Sequence, residues 1–183
     1  WTVMKFVNPL VKYVLNEEDF AIVNKNIDTT NLESATTNSL NGIRSSKISW
    51  SNNPEVVRLL TVLCFTANVD AGWNLQILGG EGLQYTTYNL NDYYDWHIDQ
   101  GKPVDNSTRK ISLTVFLNDP EEYEGGELEL EIFGPLAKER SVKFKEPKGT
   151  VIFFPSDTWH KVNPVKSGVR KSLVTWFGGS PYV

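Results

Sequence analysis

The sequence of 183 residues contains a single cysteine, Cys64, and only two histidines, His97 and His160. One cysteine cannot close a disulfide within the chain, and it cannot build a cysteine-rich metal site. Any site that uses histidine for metal binding or for acid–base chemistry has only two side chains to draw on. We therefore expect a histidine-dependent function to be concentrated in one place.

The sequence also lacks an excess of positive charge and any long apolar run. It holds 18 Lys and Arg against 22 Asp and Glu, a net charge of −4, which argues against nucleic acids and anionic membranes as partners. No stretch approaches the ~20 apolar residues of a membrane-spanning helix, and no secretion signal is visible. We expect a protein of the cytoplasm, or of the host cytoplasm if it is viral, that is a monomer or a weak oligomer.

Two helices are predicted in the first part of the chain. Asn16 precedes three acidic residues, and Asn53 precedes Pro54, a residue that is favoured in the first helical turn. The apolar residues after Pro54 recur with helical spacing, and Cys64 falls among them as a buried side chain. Residues 1–72 are thus predicted to form a mainly helical support region.

Short strands and glycine turns dominate residues 73–183. Many short strands favour a barrel or a sandwich, and helices followed by strands indicate an α+β fold in one domain spanning 1–183. An acidic stretch (119–131) precedes a basic one (138–148); we interpret them as neighbouring strands of complementary charge rather than as a partner-binding patch. The predicted strands are 74–78, 83–89, 94–98, 109–117, 127–132, 140–144, 150–154, 158–163 and 169–177, with a short one at 43–50.

A candidate metal site combines both histidines. His97 and Asp99 stand two positions apart, so on a strand their side chains point to the same face. His160 follows another predicted strand and can supply a third ligand. Two histidines and one carboxylate form the facial triad of non-haem Fe(II) oxygenases, although an isolated His-x-Asp is most often a surface pair.

An arginine ten residues after His160 strengthens this hypothesis. In the strand predicted at 169–177, Arg170 shares a face with Ser172, Val174 and Trp176. A guanidinium on an inward face needs an anion, and its planar fork suits a carboxylate. The alternative is an arginine paired with an Asp or Glu inside the fold.

Two tyrosines precede the first histidine. Tyr88 and Tyr94 lie nine and three residues before His97. For a single tyrosine near a metal, core packing is the commoner role. The functional alternative is a phenol that donates a hydrogen bond to a bound carboxylate.

Several blocks of the sequence resemble the prolyl 4-hydroxylase branch of the Fe(II)- and 2-oxoglutarate-dependent oxygenases. The resemblance is closest to the PKHD-type hydroxylases of bacteria and phages, and it covers about half of the chain, from Leu83 to Phe177. The blocks occur in the order of the family. They are LQYTTY (83–88), YDWHID (94–99), RKISLTVFLNDP (109–120), YEGGEL (123–128), GTVIFFPS (149–156) and HKVNPV (160–165), followed by Gly168, Arg170 and Trp176.

The resemblance implies a fold and a set of catalytic residues. The fold is a double-stranded β-helix, a jelly-roll core of two facing sheets with the metal at its open end, supported by N-terminal helices. By resemblance, His97, Asp99 and His160 bind Fe(II). Arg170 completes the catalytic set by binding the distal carboxylate of the cosubstrate 2-oxoglutarate, and Tyr88 reaches the same molecule.

The resemblance also implies substrate contacts, and it shows one departure. Arg109, Tyr94 and Trp176 match positions that border the substrate in prolyl hydroxylases. Some relatives carry a second cosubstrate-binding tyrosine where this chain has Phe116, so Thr114 or another hydroxyl is the alternative contact.

The implied activity is hydroxylation of prolyl residues in a peptide or protein, with O2 consumed, succinate and CO2 released, and ascorbate as a supporting reductant. An alternative within the class is hydroxylation of a free amino acid or small metabolite. A long loop over the site, with 100–108 as the candidate, would favour a peptide. A non-catalytic metal-binding barrel and a zinc hydrolase are the further alternatives, but neither accounts for Arg170.

Overall fold

Antiparallel sheets carry most of the chain, and the computed structural model describes residues 7–35 and 42–182. Two α-helices are present in these residues, α1 (Glu17–Lys25) and α2 (Pro54–Asp70). The strands are β1 (Val11–Val14), β2 (Glu33–Ser34), β3 (Arg44–Ser45), β4 (Lys47–Ser51), β5 (Gly79–Gly80), β6 (Leu83–Tyr88), β7 (Tyr93–His97), β8 (Thr108–Phe116), β9 (Tyr123–Gly125), β10 (Leu128–Glu131), β11 (Ser141–Phe144), β12 (Thr150–Pro155), β13 (His160–Val162), β14 (Val165–Gly168) and β15 (Arg170–Gly179).

Two of the sheets enclose the interior that matters for function. The large sheet has the order β1-β12-β8-β15-β6-β4-β2, with β5 paired to β15, and the smaller sheet has the order β11-β10-β13-β7-β3. A separate ribbon pairs β14 with β9. Apolar side chains from both sheets, among them Phe116 and Ile152 of the large sheet and Leu130 of the smaller one, form a shared buried cluster. The two facing sheets agree with the predicted α+β sandwich.

The helices begin where the sequence predicts. The side chain of Asn16 accepts a hydrogen bond from the amide of Asp19, and that of Asn53 accepts from the amide of Glu55. Both contacts satisfy amides at a helix start that have no partner within the helix. Cys64 of α2 is fully buried against the outer face of the large sheet, and burial raises the pKa of its thiol to about 12.

The region 1–72 contains both predicted helices, and helical residues outnumber strand residues in its described part. Besides the two helices, this region contributes β1 to β4, and β4 pairs along its whole length with β6. β1 pairs at the edge of the large sheet, with Val11 opposite Phe153. β3 and β4 match the short strand predicted at 43–50, whereas β1 and β2 were not predicted. Such short strands are stabilised by distant partners, so their own sequence carries little signal.

Three further differences concern short elements. The strand predicted at 74–78 is absent from the described structure, where Asn74 has a φ of +50° and extended pairing begins only at Gly79. β9 and β14 were not predicted. Gly168 ends β14 with a φ of +70°, and a Cβ there would lie 2.1 Å from the carbonyl oxygen of Glu122. This turn, which only glycine accommodates, leads directly into β15.

The charged stretches form neighbouring strands, as predicted. Glu129 of β10 stands opposite Lys143 of β11 and also lies 3.7 Å from Lys161 of β13. Arg140 forms an ion pair with Glu131. Within the described residues, none of the helices has the length and apolar character needed to cross a bilayer.

Candidate metal centre

Both histidines and the aspartate converge at the open end between the sheets. His97 ends β7, His160 begins β13, and the two stand opposite one another in the register of the smaller sheet. Their Nε2 atoms lie 3.5 and 3.4 Å from Oδ1 of Asp99. One ligand atom from each of the three residues falls within 4.8 Å of the others. The structure therefore brings together the three residues of the predicted cluster.

Backbone carbonyls orient the two imidazoles. Nδ1 of His97 lies 2.7 Å from the carbonyl oxygen of Asp95, and Nδ1 of His160 lies 2.9 Å from that of Thr158. A carbonyl can only accept, so each Nδ1 carries the proton and donates it. Each Nε2 then presents its lone pair toward Asp99, which is the arrangement that a metal-binding histidine requires.

Two serines hold the carboxylate in place. Ser112 donates from Oγ to Oδ2 of Asp99 at 2.7 Å, and its Oγ also lies 2.9 Å from Oγ of Ser156. The carbonyl of Ser156 in turn accepts from the amide of Asp99. Oδ2 is thereby engaged by the protein, and Oδ1 is left facing the histidines.

The charges of the cluster suit a cation. Burial favours the neutral acid, but the adjacent imidazoles outweigh it and hold the pKa of Asp99 well below its usual range. Burial lowers the pKa of His97, while at His160 the carboxylate overcomes burial and raises the pKa. Two imidazoles around one ionised carboxylate form a donor set that fits Fe(II) and leaves coordination positions open.

A cavity of about 360 Å³ opens at this cluster, which is within the size range of small-ligand sites. It lies between the large sheet and the smaller one. Every residue that the sequence assigned to the site lines it: Tyr88, Tyr94, His97, Asp99, Arg109, Thr114, His160, Arg170 and Trp176.

Arg170 is a buried cation without a matching anion in the described residues. Its side chain is 2% exposed, and Nη1 donates to Oγ of Ser172 at 3.2 Å. Within residues 7–35 and 42–182, Nε has no acceptor and no carboxylate lies within salt-bridge distance. The alternative of an internal Asp or Glu partner is therefore not observed there. An uncompensated buried guanidinium fits an anionic ligand.

Aromatic rings flank this arginine. The guanidinium carbon lies 5.4 Å from the ring centre of Tyr88 and 5.3 Å from that of Phe116. Burial raises the pKa of Tyr88, against the opposing charges of two arginines, so its hydroxyl remains a donor. Phe116 offers no hydroxyl here, whereas Thr114 lies two residues earlier on the same face of β8 and reaches the cavity.

Part of the cavity wall consists of aromatic rings and one ion pair. The ring of Tyr94 stacks on His97 with centroids 3.5 Å apart. The guanidinium of Arg109 lies 3.9 Å from the ring centre of Trp176 and is bound by both carboxylate oxygens of Glu81, with Nη2 to Oε1 at 2.9 Å. This part of the wall has the composition of a recognition surface, with stacked rings and one neutralised ion pair.

Sequence reasoning missed several residues of the cavity. Gln84 and Thr86 share the face of Tyr88 on β6, so strand parity could have identified them. Arg44, by contrast, falls in the short strand predicted at 43–50 but was not assigned to the site, and the pairing of β3 with β7 brings it there.

The sequence of this chain is similar to those of known oxygenases over the segment that contains the metal cluster. The family profile described as the 2OG-Fe(II) oxygenase superfamily matches residues 83–178, a span that contains the whole metal cluster. A PKHD-type hydroxylase of Colwellia psychrerythraea (strain 34H / ATCC BAA-681) is 42% identical over 89 residues, which are 48% of this chain and 38% of the relative. One of Synechococcus sp. (strain CC9605) is 43% identical over 89 residues, 48% of this chain and 37% of the relative. The chain thus spans about two fifths of the length of these curated relatives.

Solved structures show the fold over nearly the whole chain. A prolyl-4-hydroxylase of Pseudomonas putida superposes with a TM-score of 0.70 at 20% identity, covering 92% of this chain and 91% of that one. The viral collagen prolyl hydroxylase of Paramecium Bursaria Chlorella virus-1, in its 2-oxoglutarate complex, gives a TM-score of 0.68 at 24% identity and covers 94% and 97%. These likenesses confirm the predicted double-stranded β-helix.

Proposed function

The chain belongs to the 2OG-Fe(II) oxygenase superfamily, and from this membership we propose that it is an Fe(II)- and 2-oxoglutarate-dependent dioxygenase that hydroxylates prolyl residues in a peptide or protein. One observation carries the proposal. A single cavity contains a cluster of two histidines and one carboxylate together with a buried arginine that has no carboxylate partner in the described residues. The cluster has the chemistry of an Fe(II) site, and the arginine has that of a receptor for a dicarboxylate.

His97, Asp99 and His160 would hold the iron. The chemistry that bound Fe(II) supplies, with O2 and 2-oxoglutarate, is the hydroxylation of an unactivated C–H bond with release of succinate and CO2. The protein contributes ligand orientation, because the carbonyls of Asp95 and Thr158 fix both imidazoles with Nε2 free. Ascorbate would support activity as a reductant.

Arg170 would bind the distal carboxylate of 2-oxoglutarate. Its Nε has no acceptor among the residues that the structure describes, and the two aromatic rings beside the guanidinium keep water from screening the charge. Tyr88 would donate to the same molecule, and Thr114 would take the place of the hydroxyl that Phe116 lacks.

Arg109, Tyr94 and Trp176 would border the substrate. All three line the same cavity as Arg170, and the stacked ring of Tyr94 covers His97. A second cavity shares Asp99 and Arg109 with the first. Its wall includes Gly101, Lys102 and Val104 from the 100–108 segment, together with β5. Two adjoining cavities favour an extended chain as the substrate.

The second candidate is a hydroxylase of a free amino acid or another small metabolite. The volume of the first cavity favours it, because about 360 Å³ is enough for 2-oxoglutarate beside one small molecule. The two candidates differ in whether the adjoining cavity is used.

The test is incubation of the protein with Fe(II), 2-oxoglutarate, ascorbate and a panel of proline-containing peptides, with free L-proline in parallel. Mass spectrometry is expected to show the gain of one oxygen atom on a prolyl residue, and succinate is expected in equal amount. Gain of oxygen by free L-proline alone would replace the first candidate with the second. Absence of succinate in every reaction, together with undisturbed metal binding, would contradict dioxygenase activity.

A further inference from the structure

Three guanidinium groups face the cavity, and they differ in how their charges are balanced. Arg170 lies at the buried end, where 2-oxoglutarate is proposed to bind. Arg109 is already neutralised by both oxygens of Glu81. Arg44, the third, has no role in the proposed function so far, although it lines the same cavity as the metal cluster.

In the part of the chain that the structure describes, the groups that hold Arg44 in place are neutral. Its Nε donates to Oγ of Ser46 at 2.8 Å, and its Nη2 donates to Oε1 of Gln84 at 3.0 Å. Among residues 7–35 and 42–182, no carboxylate lies within salt-bridge distance of it, and Nη1 has no acceptor. The side chain is therefore fixed by two hydrogen bonds while its positive charge stays uncompensated.

The position of this charge is close to the reaction centre. The guanidinium carbon of Arg44 lies 4.6 Å from the ring centre of Tyr94, and the same ring stacks on His97 with centroids 3.5 Å apart. Arg44 thus lies over the ring that also covers a metal ligand. A substrate whose target carbon is near the metal would place its neighbouring groups within reach of Arg44.

We propose that Arg44 binds a carboxylate of the substrate, so that the prolyl substrate of this site is anionic. The inference rests on the proposed function and names the substrate class for the same site. A guanidinium offers two parallel donors that match the two oxygens of a carboxylate, and the half-buried setting weakens screening by water. Two sources can supply this carboxylate, an acidic side chain next to proline in a peptide or the α-carboxylate of free proline.

The test measures binding rather than turnover. The protein is loaded with 2-oxoglutarate and with Mn(II) in place of iron, and calorimetry measures its affinity for proline-containing peptides with blocked ends. Each peptide carries a single Glu, either before or after the proline, and is compared with the same peptide carrying Gln at that position. We expect the Glu peptide to bind more tightly than its Gln counterpart at one position, by about tenfold, as for a hydrogen bond to a charged group. Arg44→Gln is expected to abolish that preference, and Arg44→Lys to retain part of it. L-Proline against L-prolinamide tests the second source.

The control is Arg58→Gln, which removes an exposed arginine on the outer side of α2 and should keep the preference of the unmodified protein. Equal binding of the Glu and Gln peptides and of L-proline and L-prolinamide would overturn the proposal. A preference that survives in Arg44→Gln would overturn it as well. A preference for L-proline alone, lost in Arg44→Gln, would support the role of Arg44 and would reject the peptide substrate of the proposed function.

Failure of the dioxygenase proposal is visible separately. It would appear as absence of succinate in the turnover assay, independently of the peptide affinities that calorimetry measures. The two measurements use different metals and different readouts, so neither result determines the other.

Discussion

The two faces of the large sheet are equally buried and chemically opposite. On β15, Leu173 and Phe177 pack into the apolar core beneath the helices, whereas Arg170 and Ser172 face the cavity. Leu173 is 0% exposed and Arg170 is 2% exposed, so burial does not distinguish the faces. The faces differ in the effect of burial on stability. Removing an apolar side chain from water stabilises the fold, whereas removing an unpaired guanidinium from water destabilises it.

The difference indicates which face can be filled by a ligand. Nε of Arg170 and Nε1 of Trp176 are both buried on the cavity side without an acceptor in the described structure. Buried polar atoms without partners cost stability and are uncommon in native proteins. Here they lie beside a metal-type cluster, so the fold tolerates the cost where a bound molecule would remove it.

The largest expected effect comes from removing a ligand of the metal cluster. His160→Ala should abolish metal binding and 2-oxoglutarate turnover, because no other histidine is present to replace it apart from His97, already in the cluster. Metal titration by calorimetry and a succinate assay measure both effects. The far-ultraviolet circular dichroism spectrum should stay unchanged, since the substitution alters only the cavity side. Undiminished succinate formation would show that the cluster is not the reaction centre.

The second effect concerns the buried arginine. Arg170→Met keeps most of the side-chain volume and removes the charge, and we expect 2-oxoglutarate to bind about 30-fold more weakly or worse, as when one partner of a buried charge pair is removed. Metal affinity should change far less. Calorimetry with Mn(II) and then 2-oxoglutarate separates the two. Equal affinity for 2-oxoglutarate in both proteins would mean that Arg170 is structural.

The third effect lies on the opposite face of the same strand. Leu173→Ala removes a fully buried side chain from the core under the helices and should lower the free energy of unfolding by about 2–5 kcal/mol. Chemical denaturation measures this change. The folded fraction should bind 2-oxoglutarate with the affinity of the unmodified protein, because Leu173 points away from the cavity. A matching loss of affinity would show that the two faces are coupled.

Strand parity explains why so much of the site was predictable. Alternation alone placed Arg170, Ser172 and Trp176 on one face, and the structure places all of them on the cavity wall. The two-residue spacing of His97 and Asp99 was informative for the same reason. Helix caps are also local, and both predicted helices begin at their predicted caps.

What could not be predicted depends on pairing between distant parts of the chain. Arg44 reaches the site because β3 pairs with β7, a contact that no local pattern in the sequence encodes. The same holds for Ser112 and Ser156, which meet because β8 and β12 are neighbours in the sheet. Residues that carry chemistry were visible in the sequence, whereas the residues that support them required the three-dimensional register.

The smallest expected effect concerns the residues that support the metal ligands on the cavity face. Ser112→Ala removes the hydrogen bond to Oδ2 of Asp99, and we expect metal affinity to fall about tenfold, as for other groups that orient a metal ligand. Ser156→Ala should have less effect, because Ser156 contacts Asp99 through its carbonyl, which the substitution keeps. The visible absorption of the Co(II)-loaded protein should change in Ser112→Ala, since freeing Oδ2 alters how the carboxylate binds.

Ser49→Ala, which removes a buried hydroxyl bonded to the carbonyl of Asp28, is the matched control and should change neither affinity nor spectrum. If Ser112→Ala lowered stability while leaving the Co(II) spectrum and metal affinity intact, Ser112 would belong with the packing residues and not with the groups that position Asp99.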